Sequence, residues 1–434
     1  MTSAPLPARL ALAAGALLAL ASAPARAAGP ITIRVEAGEH EREGTPLHAS
    51  IPRDRLGPAV REALASGPVA LTMADLDEPG RGPTTVQLDI DPGEPEVPPR
   101  ATWILPRPLP AGATARFSLD VVTPAPPAGP WTLDRSTPGA IDLKSGARPV
   151  FRYNTAPVSS PKYKEIQDRD AYLHPAYTPS GTLITGDFSS AHPHHRGFFL
   201  AYAAAQVGDA KADFWNIHTD KGKIFFEALD LAVAGPVSAR IVGRHRWDIK
   251  DGPAKAHRTV LRERWEIEAL PSPDPKCWMF DLTSRQQAAD RPVTLTPYRY
   301  GGMAYRGPDP FLKGTLDVLT SEGKHRKDGD QKPARWVDLT GPIADGSPDY
   351  AGAMIAEHPT NPHAPTVVRI HPTTLPFFSY VPAHDAALEL STTASTTFRY
   401  RVLIHDGRPD RGLDERVWRD FAHPPRVVVE PVAD

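Results

Sequence analysis

The chain has 434 residues, a formal net charge of −2 and a single cysteine, Cys277. Interspersed charges of both signs exclude the basic surface that binding to nucleic acid or to an anionic membrane requires. A single cysteine excludes an internal disulfide, so stability must come from burial of apolar side chains. The fifty prolines favour short strands joined by stiff loops over long helices.

Residues 1–28 are predicted to be a signal peptide. Arg9 precedes an apolar stretch, and Ala25-Arg26-Ala27 then shows the small-x-small form of a cleavage site. The stretch is shorter than the ~20 residues that span a bilayer, and no later segment is apolar enough to do so. We therefore expect an exported protein, periplasmic or secreted, that does not insert into a membrane.

Short alternating segments separated by Pro- and Gly-rich turns come next. They lie at residues 31–35, 69–73, 85–90 and 115–122. This spacing is typical of a small β-sandwich, and we predict an immunoglobulin-like domain over residues 29–123. A helix at residues 53–66 is compatible with the pattern. Residues 124–130 are predicted to form a Pro-rich linker without capacity to bury apolar surface.

Longer strands follow residue 130. The predicted strands lie at residues 223–233, 239–248, 259–269, 277–285, 351–356, 367–371, 377–381 and 397–404, and only residues 413–422 show a helical period. We therefore predict an all-β protein, with a small N-terminal β-sandwich followed by a large two-sheet antiparallel β-sandwich over residues 131–425. Residues 426–434 are predicted to be a C-terminal tail.

Two of these strands are predicted to form an antiparallel hairpin around the turn at residues 251–252. The outer face of this hairpin carries arginines such as Arg240 on one strand and glutamates such as Glu268 on the other, which strand pairing brings together. We expect that face to be solvated, so that each ion pair contributes little. Glu263 falls on the apolar face, where it needs a partner or a function unless a local bulge turns it outward.

The densest group of chemically versatile side chains lies in residues 188–197. Within five positions it contains His192, His194, His195 and Arg196. Imidazole titrates near neutral pH and binds metals, so we predict a functional site here. A proline and a glycine in the segment indicate a shaped loop that precedes a strand at residues 198–202. The alternative is a solvated His-rich loop.

Five separated motifs in the second domain occur in an order found in a known family. They are Tyr172-Leu-His-Pro175, His192-Pro-His-His-Arg-Gly197, Asp213-Phe-Trp215, Tyr300-Gly-Gly-Met303 with Arg306, and His358-Pro-Thr-Asn-Pro362. Over residues 131–424 the chain resembles the bacterial exported proteins labelled "methane oxygenase PmoA" family, a domain of unknown function. The label does not fit a chain that has no membrane span after its signal. The resemblance implies a galactose-mutarotase-like supersandwich and a connection with sugar processing.

Sugar chemistry suits these residue types, because imidazole, carboxylate and guanidinium groups bind hydroxyls while aromatic rings stack on the sugar ring. The predicted catalytic residues are His192, His194, His195, Arg196, Asp213, Tyr300 and Arg306. The predicted substrate-binding residues are His174, Asp187, Trp215, His218, Tyr298, Arg299, His358 and Asn361. A histidine is suited to acid–base work at neutral pH. Alternatively, a tyrosine activated by a nearby arginine acts as base on a uronate, with Arg306 neutralising the carboxylate.

A metal ion is the rival explanation of the histidine group. His192 and His194 share one side of an extended segment, and His174 is a candidate third ligand. The cofactor is therefore either none or one divalent metal ion. A set of two histidines and a carboxylate would suit oxygenase chemistry.

The predicted function is that of an exported carbohydrate-active protein whose cleft performs acid–base chemistry on a sugar or sugar acid. An epimerase, a lyase and a hydrolase all remain open. Two alternatives are a non-catalytic glycan-binding protein and a metal-dependent oxygenase. The expected partner is a carbohydrate or sugar acid, with no nucleic acid. The sequence contains neither a Gly-x-Ser-x-Gly nucleophile motif nor a phosphate-binding loop.

Overall fold

The computed structural model describes residues 29–91, 93–126, 129–163, 168–251, 256–313, 315–344, 346–373 and 375–431. The predicted signal peptide and residues 127–128 of the predicted linker lie outside the described residues. The described chain is built almost entirely from strands in large antiparallel sheets, which confirms the predicted all-β class. No helix in these ranges is long and apolar enough to cross a bilayer.

The first part of the chain forms six strands and one helix. They are β1 (Ile31–Glu36), β2 (Pro46–Ser50), α1 (Pro58–Ser66), β3 (Val69–Asp75), β4 (Thr84–Asp89), β5 (Arg100–Ile104) and β6 (Thr114–Leu119), with a 3-10 turn at Arg53–Arg55. Alternate side chains of β1 are buried, because successive residues of a strand point to opposite faces. The helix α1 adds Val60 and Leu64 to the same core.

Hydrogen bonds link these strands into one sheet in the order β2-β5-β4-β3-β6-β1. A further strand at Arg426–Val429 pairs with the outer edge of β1 in antiparallel register. This part of the predicted C-terminal tail is therefore a strand of the first sheet. The pairing satisfies backbone groups that an open edge would leave exposed.

The second part of the chain contains the longer strands. They are β7 (Trp131–Asp134), β8 (Ala140–Ser145), β9 (Arg148–Asn154), β10 (Tyr172–Ala176), β11 (Phe198–Tyr202), β12 (Ala205–Val207), β13 (Ala210–Ala212), β14 (Lys223–Ala234), β15 (Ala239–Asp251), β16 (Ala256–Leu270), β17 (Cys277–Ala288), β18 (Val293–Leu295), β19 (Gly301–Arg306), β20 (Asp317–Thr320), β21 (Lys332–Pro333), β22 (Trp336–Pro342), β23 (Tyr350–Glu357), β24 (Val367–Ile370), β25 (Phe377–Val381), β26 (Leu388–Leu390), β27 (Thr396–Asp406), α2 (Arg411–Ala422) and β28 (Arg426–Val429). Short 3-10 turns lie at Ile217–Thr219 and Asp309–Lys313.

Two large sheets pack against each other to form the main core. One has the order β21-β24-β25-β19-β11-β10-β9-β8-β7 and the other has the order β14-β15-β16-β17-β27-β23-β22-β20. Aromatic side chains join them: the Phe280 ring of the second sheet lies 5.1 Å from Phe151 and 6.0 Å from Phe198 of the first. A smaller sheet, β13-β12-β18-β26, completes the domain. This arrangement is the predicted large two-sheet sandwich.

The predicted hairpin is present as β15 and β16, and Glu263 lies opposite His245 in its register. The register of this pair shifts only between Trp247 and Asp248, so no bulge turns Glu263 outward. The carboxylate is buried and hydrogen-bonded to five side chains. They are His245 (3.0 Å), Trp247 (2.9 Å), Trp265 (2.7 Å), Ser284 (2.5 Å) and Gln286 (2.9 Å). Glu263 thus has the partners that its buried position requires.

The outer face of this hairpin is only partly solvated: Arg244 and Arg262 are exposed as we expected, whereas the end at Arg240 is covered. Arg240 and Glu268 are both buried. Arg240 pairs with Asp89 of the first sheet, and Arg100 lies 2.7 Å from Glu268. The Gln87 side-chain oxygen also accepts a hydrogen bond of 2.8 Å from a backbone amide just before β15. The N-terminal sheet covers this end of the face, so Arg240 and Glu268 belong to an internal interface.

Candidate functional site

The histidine segment lies over the outer face of the nine-stranded sheet. In the register of β11 and β19, Phe198 pairs with Tyr305, and Phe198 points into the core towards the second sheet. Because strand side chains alternate, Phe199 and Arg306 point to the opposite face, as does Phe377, which pairs with Arg306. Residues from three neighbouring strands therefore form the floor of a surface site.

A cleft of about 170 Å³ lies at this place. Its lining residues are His192, His194, His195, Trp215, Asn216, Arg299, Tyr300, Arg369, His371, Leu375 and Phe377. They come from the loop before β11, the segment after β13, the segment before β19, and β24, β25 and their connection. Among the residues that the structure describes, no carboxylate lines this cleft.

A tight turn brings together the imidazoles of His192, His194 and His195. His192 has a left-handed backbone, with φ of 53°, and its carbonyl accepts a hydrogen bond of 3.0 Å from the His195 amide. Gly197 follows with φ of 54°, and a side chain there would collide with the Leu173 carbonyl of β10. The turn stacks His192 on His195 at 5.2 Å, and His194 meets His195 edge to face at 4.6 Å.

His195 is the anchor of this group. Its ring is buried, stacks on Phe377 at 4.5 Å, and accepts a hydrogen bond of 3.2 Å at Nε2 from the indole of Trp215. A neutral imidazole that accepts at Nε2 carries its proton on Nδ1. That Nδ1 has no hydrogen-bond partner among the described residues. Burial lowers the pKa of His195 well below its ordinary value, so the ring stays neutral and holds Trp215 in place.

The other imidazoles of the cleft are also neutral at physiological pH. Burial, reinforced by His192 and His218, lowers the pKa of His194 to about 3. Burial and Arg306 lower the pKa of His192, while burial and Arg369 lower that of His371 to about 4.

Neither the His192 ring nor the His194 ring makes a hydrogen bond to any described residue. Burial leaves both rings uncharged and therefore able to accept a hydrogen bond at one nitrogen and to donate one at the other. Such free imidazoles are available to a ligand.

Aromatic rings form the other wall of the cleft. Trp215 lies 5.5 Å from Tyr300 and 5.8 Å from Phe377, measured between ring centroids. The Tyr300 hydroxyl accepts a hydrogen bond of 3.1 Å from the Asn216 side chain. Burial raises the pKa of Tyr300 to about 12. A raised pKa is opposite to the lowered pKa that activation of a tyrosine by a nearby arginine requires. Tyr300 therefore keeps its proton and can donate a hydrogen bond.

Arg196 and Asp187 lie behind the cleft, in a buried ion pair. Arg196 also donates a hydrogen bond of 2.7 Å to the Tyr172 hydroxyl and lies 3.7 Å above the Phe188 ring. These contacts fasten the histidine loop to β10. His174, on β10, lies 2.9 Å from the Thr185 hydroxyl and does not line the cleft. The structure therefore separates Arg196, Asp187 and His174 from His192 and His194.

Asp213 shapes the cleft without lining it. Its carboxylate accepts hydrogen bonds from the backbone amides of Trp215 (3.0 Å) and Asn216 (2.8 Å), and from the Asn216 side chain (2.9 Å). This turn positions Trp215 and links to Tyr300 through Asn216. Asp213 is thus a positioning residue in this geometry.

The remaining predicted residues near the cleft lie at its margins. His218 is exposed, with its ring 5.4 Å from that of His194. Arg299 lines the cleft, and its guanidinium lies 5.7 Å from the Tyr300 ring. Tyr298 packs edge-on against Tyr300 at 4.8 Å.

Arg306 lies beneath the imidazoles and is fully buried. Its two terminal nitrogens have no hydrogen-bond partner among the described residues, although Asp309 approaches to 3.6 Å. Burial lowers the pKa of Arg306 to about 10, so the guanidinium remains charged at neutral pH. Its burial excludes direct contact with a ligand in this conformation.

His358 and Asn361 belong to another part of the domain. The His358 ring packs against Phe421 of α2 at 5.0 Å. The Asn361 side chain accepts a hydrogen bond of 2.7 Å from the Arg399 amide and donates one of 2.9 Å to the Arg399 carbonyl. Both residues fasten a loop to β27 and do not line the cleft.

Sequence patterns missed Asn216, which directly follows Trp215, and four further lining residues, which are Arg369, His371, Leu375 and Phe377. These four lie about 180 positions after the histidine segment and reach it because β25 pairs with β19. The only local signal is the spacing of Arg369 and His371, two positions apart at the end of β24.

The donor set does not fit a resident metal ion. His192, His194 and His195 place potential ligand atoms within 4.8 Å of one another. However, the Nε2 lone pair of His195 is used by Trp215 and its Nδ1 carries the proton, so neither nitrogen is free to bind an ion. The predicted third ligand, His174, is not in this group. No described carboxylate of the cleft completes a set of two histidines and a carboxylate.

Residues 140–419 match the family described as "Family of unknown function (DUF6807)". The chain belongs to this family. No curated protein of known function matches the sequence. The resemblance to the "methane oxygenase PmoA" family stays a prediction.

Similar solved structures include two from Enterococcus faecalis. One is a protein in the glycosyl hydrolase family 38, with a TM-score of 0.35, 9% identity and coverage of 93% of this chain and 47% of that chain. Another is an α-mannosidase, with a TM-score of 0.39, 8% identity and coverage of 93% and 46%. The chain spans about half the length of these two proteins.

A third similar structure is a putative aldose 1-epimerase from Klebsiella pneumoniae. It has a TM-score of 0.32, 11% identity and coverage of 87% of this chain and 95% of that chain. At these TM-scores, none of the three similarities supports an argument about function. The proposal of a function rests on the geometry of the cleft.

Proposed function

We propose that this protein binds a carbohydrate in the histidine cleft and modifies it by acid–base chemistry. The observation that supports this most directly is the pairing of two free imidazoles, His192 and His194, with the aromatic rings of Trp215 and Tyr300. Imidazoles exchange hydrogen bonds with hydroxyls, and aromatic rings pack on the apolar faces of sugar rings. The volume of about 170 Å³ is below the ~300–1,000 Å³ of pockets for drug-sized ligands, which suits a single sugar ring.

Each residue of the cleft has a separate role in this proposal. His192 is the proton carrier, because it is more exposed than His194 and has no competing hydrogen bond among the described residues. His194 binds a hydroxyl, and Tyr300 donates a hydrogen bond to the substrate. His195 and Asp213 hold Trp215 against the sugar.

The type of reaction favoured is proton transfer at the sugar, as in an epimerase or a lyase. Hydrolysis of a glycosidic bond ordinarily uses two carboxyl groups that flank that bond. No described carboxylate lines the cleft, so its geometry does not favour a hydrolase of that kind.

A non-catalytic glycan-binding protein is the second candidate. It is favoured by the pKa of about 3 for His194, because efficient acid–base catalysis needs a pKa near the operating pH. The predicted signal peptide supports an exported location, periplasmic or secreted, for either activity.

A turnover assay tests the proposal. The purified protein is incubated with neutral sugars, oligosaccharides and uronates, and products are followed by NMR and mass spectrometry. His192→Ala should lower turnover by about 10²–10⁴-fold, the usual contribution of an acid–base residue. The matched control, His257→Ala, removes an exposed imidazole on β16 and should not change turnover.

Three outcomes contradict parts of the proposal. Unchanged turnover in both His192→Ala and His194→Ala would exclude acid–base catalysis by this cleft. Binding without turnover identifies a glycan-binding protein. Stoichiometric metal in the purified protein, lost in His194→Ala together with activity, would identify a metalloenzyme and refute our conclusion about the donor set.

A further inference from the structure

The histidine cleft continues into a longer groove. It shares Tyr300 with a shallow depression that runs past Tyr298. That depression in turn shares Ala203, Ala204 and Thr296 with a third depression of about 280 Å³. The three hollows therefore follow one another along the surface as one path, with the cleft at one end.

Positive charge lies at both ends of this path. Arg299 lines the cleft, and Lys211 and Lys221 line the third depression. All three side chains are exposed, and none forms an ion pair with a described residue. Asp213 also lines the third depression, but its carboxylate already accepts three hydrogen bonds. The path thus offers three unpaired cations against one carboxylate, Asp213.

An exposed aromatic ring lies between the two ends. Tyr298 is 39% exposed, although large apolar and aromatic side chains are usually buried. Its ring lies 4.8 Å from that of Tyr300 in a T-shaped contact, which orients the Tyr298 ring while part of it stays exposed. A sugar unit next to the one in the cleft would meet this ring and stack on it.

We propose that the ligand of this groove is an acidic oligosaccharide. One sugar-acid unit lies in the histidine cleft beside Arg299, the next unit stacks on Tyr298, and a following unit places its carboxylate near Lys211 and Lys221. The inference rests on the proposed function, since it names the substrate class of the same site. Carboxylates repeated along a chain match cations repeated along a groove.

Isothermal titration calorimetry of the full-length protein tests the inference. The probes are oligomers of one to four units of galacturonic, glucuronic and mannuronic acid, with neutral galactose, glucose and mannose oligomers of equal length. For at least one acidic series we expect affinity to rise at least tenfold from monomer to trimer. Its neutral counterpart should bind at least tenfold more weakly, and added salt should weaken binding of the acidic trimer.

Variants test the individual contacts. The double variant Lys211→Gln/Lys221→Gln should weaken trimer binding about 2- to 25-fold, the range for two exposed ion pairs, and leave monomer binding unchanged. Lys144→Gln on β8, whose side chain pairs with Asp134, is the matched control and should not alter either affinity. Tyr298→Ala should weaken trimer binding about 2- to 12-fold, and Tyr298→Phe should retain it.

The outcomes separate this inference from the proposed function. Equal affinity for neutral and acidic trimers, or for acidic monomer and trimer, overturns the inference and leaves a carbohydrate site in place. An unchanged trimer affinity in the double lysine variant also overturns it. Absence of binding to every acidic and neutral series overturns both proposals.

Discussion

Burial of His194 predicts a specific loss of stability in acid. Burial and the neighbouring His192 and His218 lower the pKa of His194 from 6.5 to about 3 on folding. Between these values the unfolded chain binds a proton at His194 and the folded protein does not. The stability contribution is therefore complete above pH 6.5 and is lost as the pH falls towards 3.

The size of this effect follows from the shift. Each pKa unit corresponds to about 1.4 kcal/mol, and the side chain is buried, so screening by solvent is small. At pH 5, which lies about 1.5 units below the unfolded pKa, His194 alone lowers the free energy of unfolding by about 2 kcal/mol. His194→Gln removes the titrating group while keeping a polar side chain of similar size, so this part of the acid sensitivity should disappear.

Urea unfolding at pH 7, 6 and 5, followed by tryptophan fluorescence, measures the effect. The difference in unfolding free energy between wild type and His194→Gln should change by about 2 kcal/mol from pH 7 to pH 5. His257→Gln, which alters an exposed residue on β16, should follow the wild-type curve. If wild type and His194→Gln lose stability in parallel as the pH falls, the reasoning about His194 is refuted.

Two further predictions concern buried carboxyl groups. Glu263→Gln should lower the free energy of unfolding by about 3–5 kcal/mol. The substitution breaks a buried charged network and turns an amide donor towards side chains that themselves donate hydrogen bonds to Glu263. A loss below 1 kcal/mol in urea unfolding would contradict this prediction. Burial and the neighbouring Asp338 raise the pKa of Asp414 to about 10, so this group's stability contribution is present below pH 3.8 and is lost as the pH rises towards 10. Asp414→Asn should therefore raise the melting temperature at pH 7, with a gain that grows from pH 5 to pH 9, and a gain independent of pH would argue against the shift.

The chemical nature of the site was visible in the sequence because it depends on local composition. Three histidines within four positions predict a chemically active loop wherever the chain places them. Strand alternation likewise predicted the β15–β16 hairpin and placed Glu263 on its apolar face, but only the structure excluded a bulge that turns Glu263 outward. These inferences hold because side chains alternate between the two faces of a strand, and because turn residues set the backbone conformation only within a few positions.

Tertiary structure decided which neighbours the site has. Arg196 directly follows His195 in sequence, yet the turn at His192 sends the guanidinium behind the cleft into an ion pair with Asp187. His371 and Phe377, far away in sequence, reach the imidazoles through the pairing of β25 with β19. Arg240 and Glu268, on the charged face of β15 and β16, are internal only because the N-terminal sheet covers that end of the face. Burial and partners depend on which strands pair and which sheets pack, and these long-range contacts leave no local pattern in the chain.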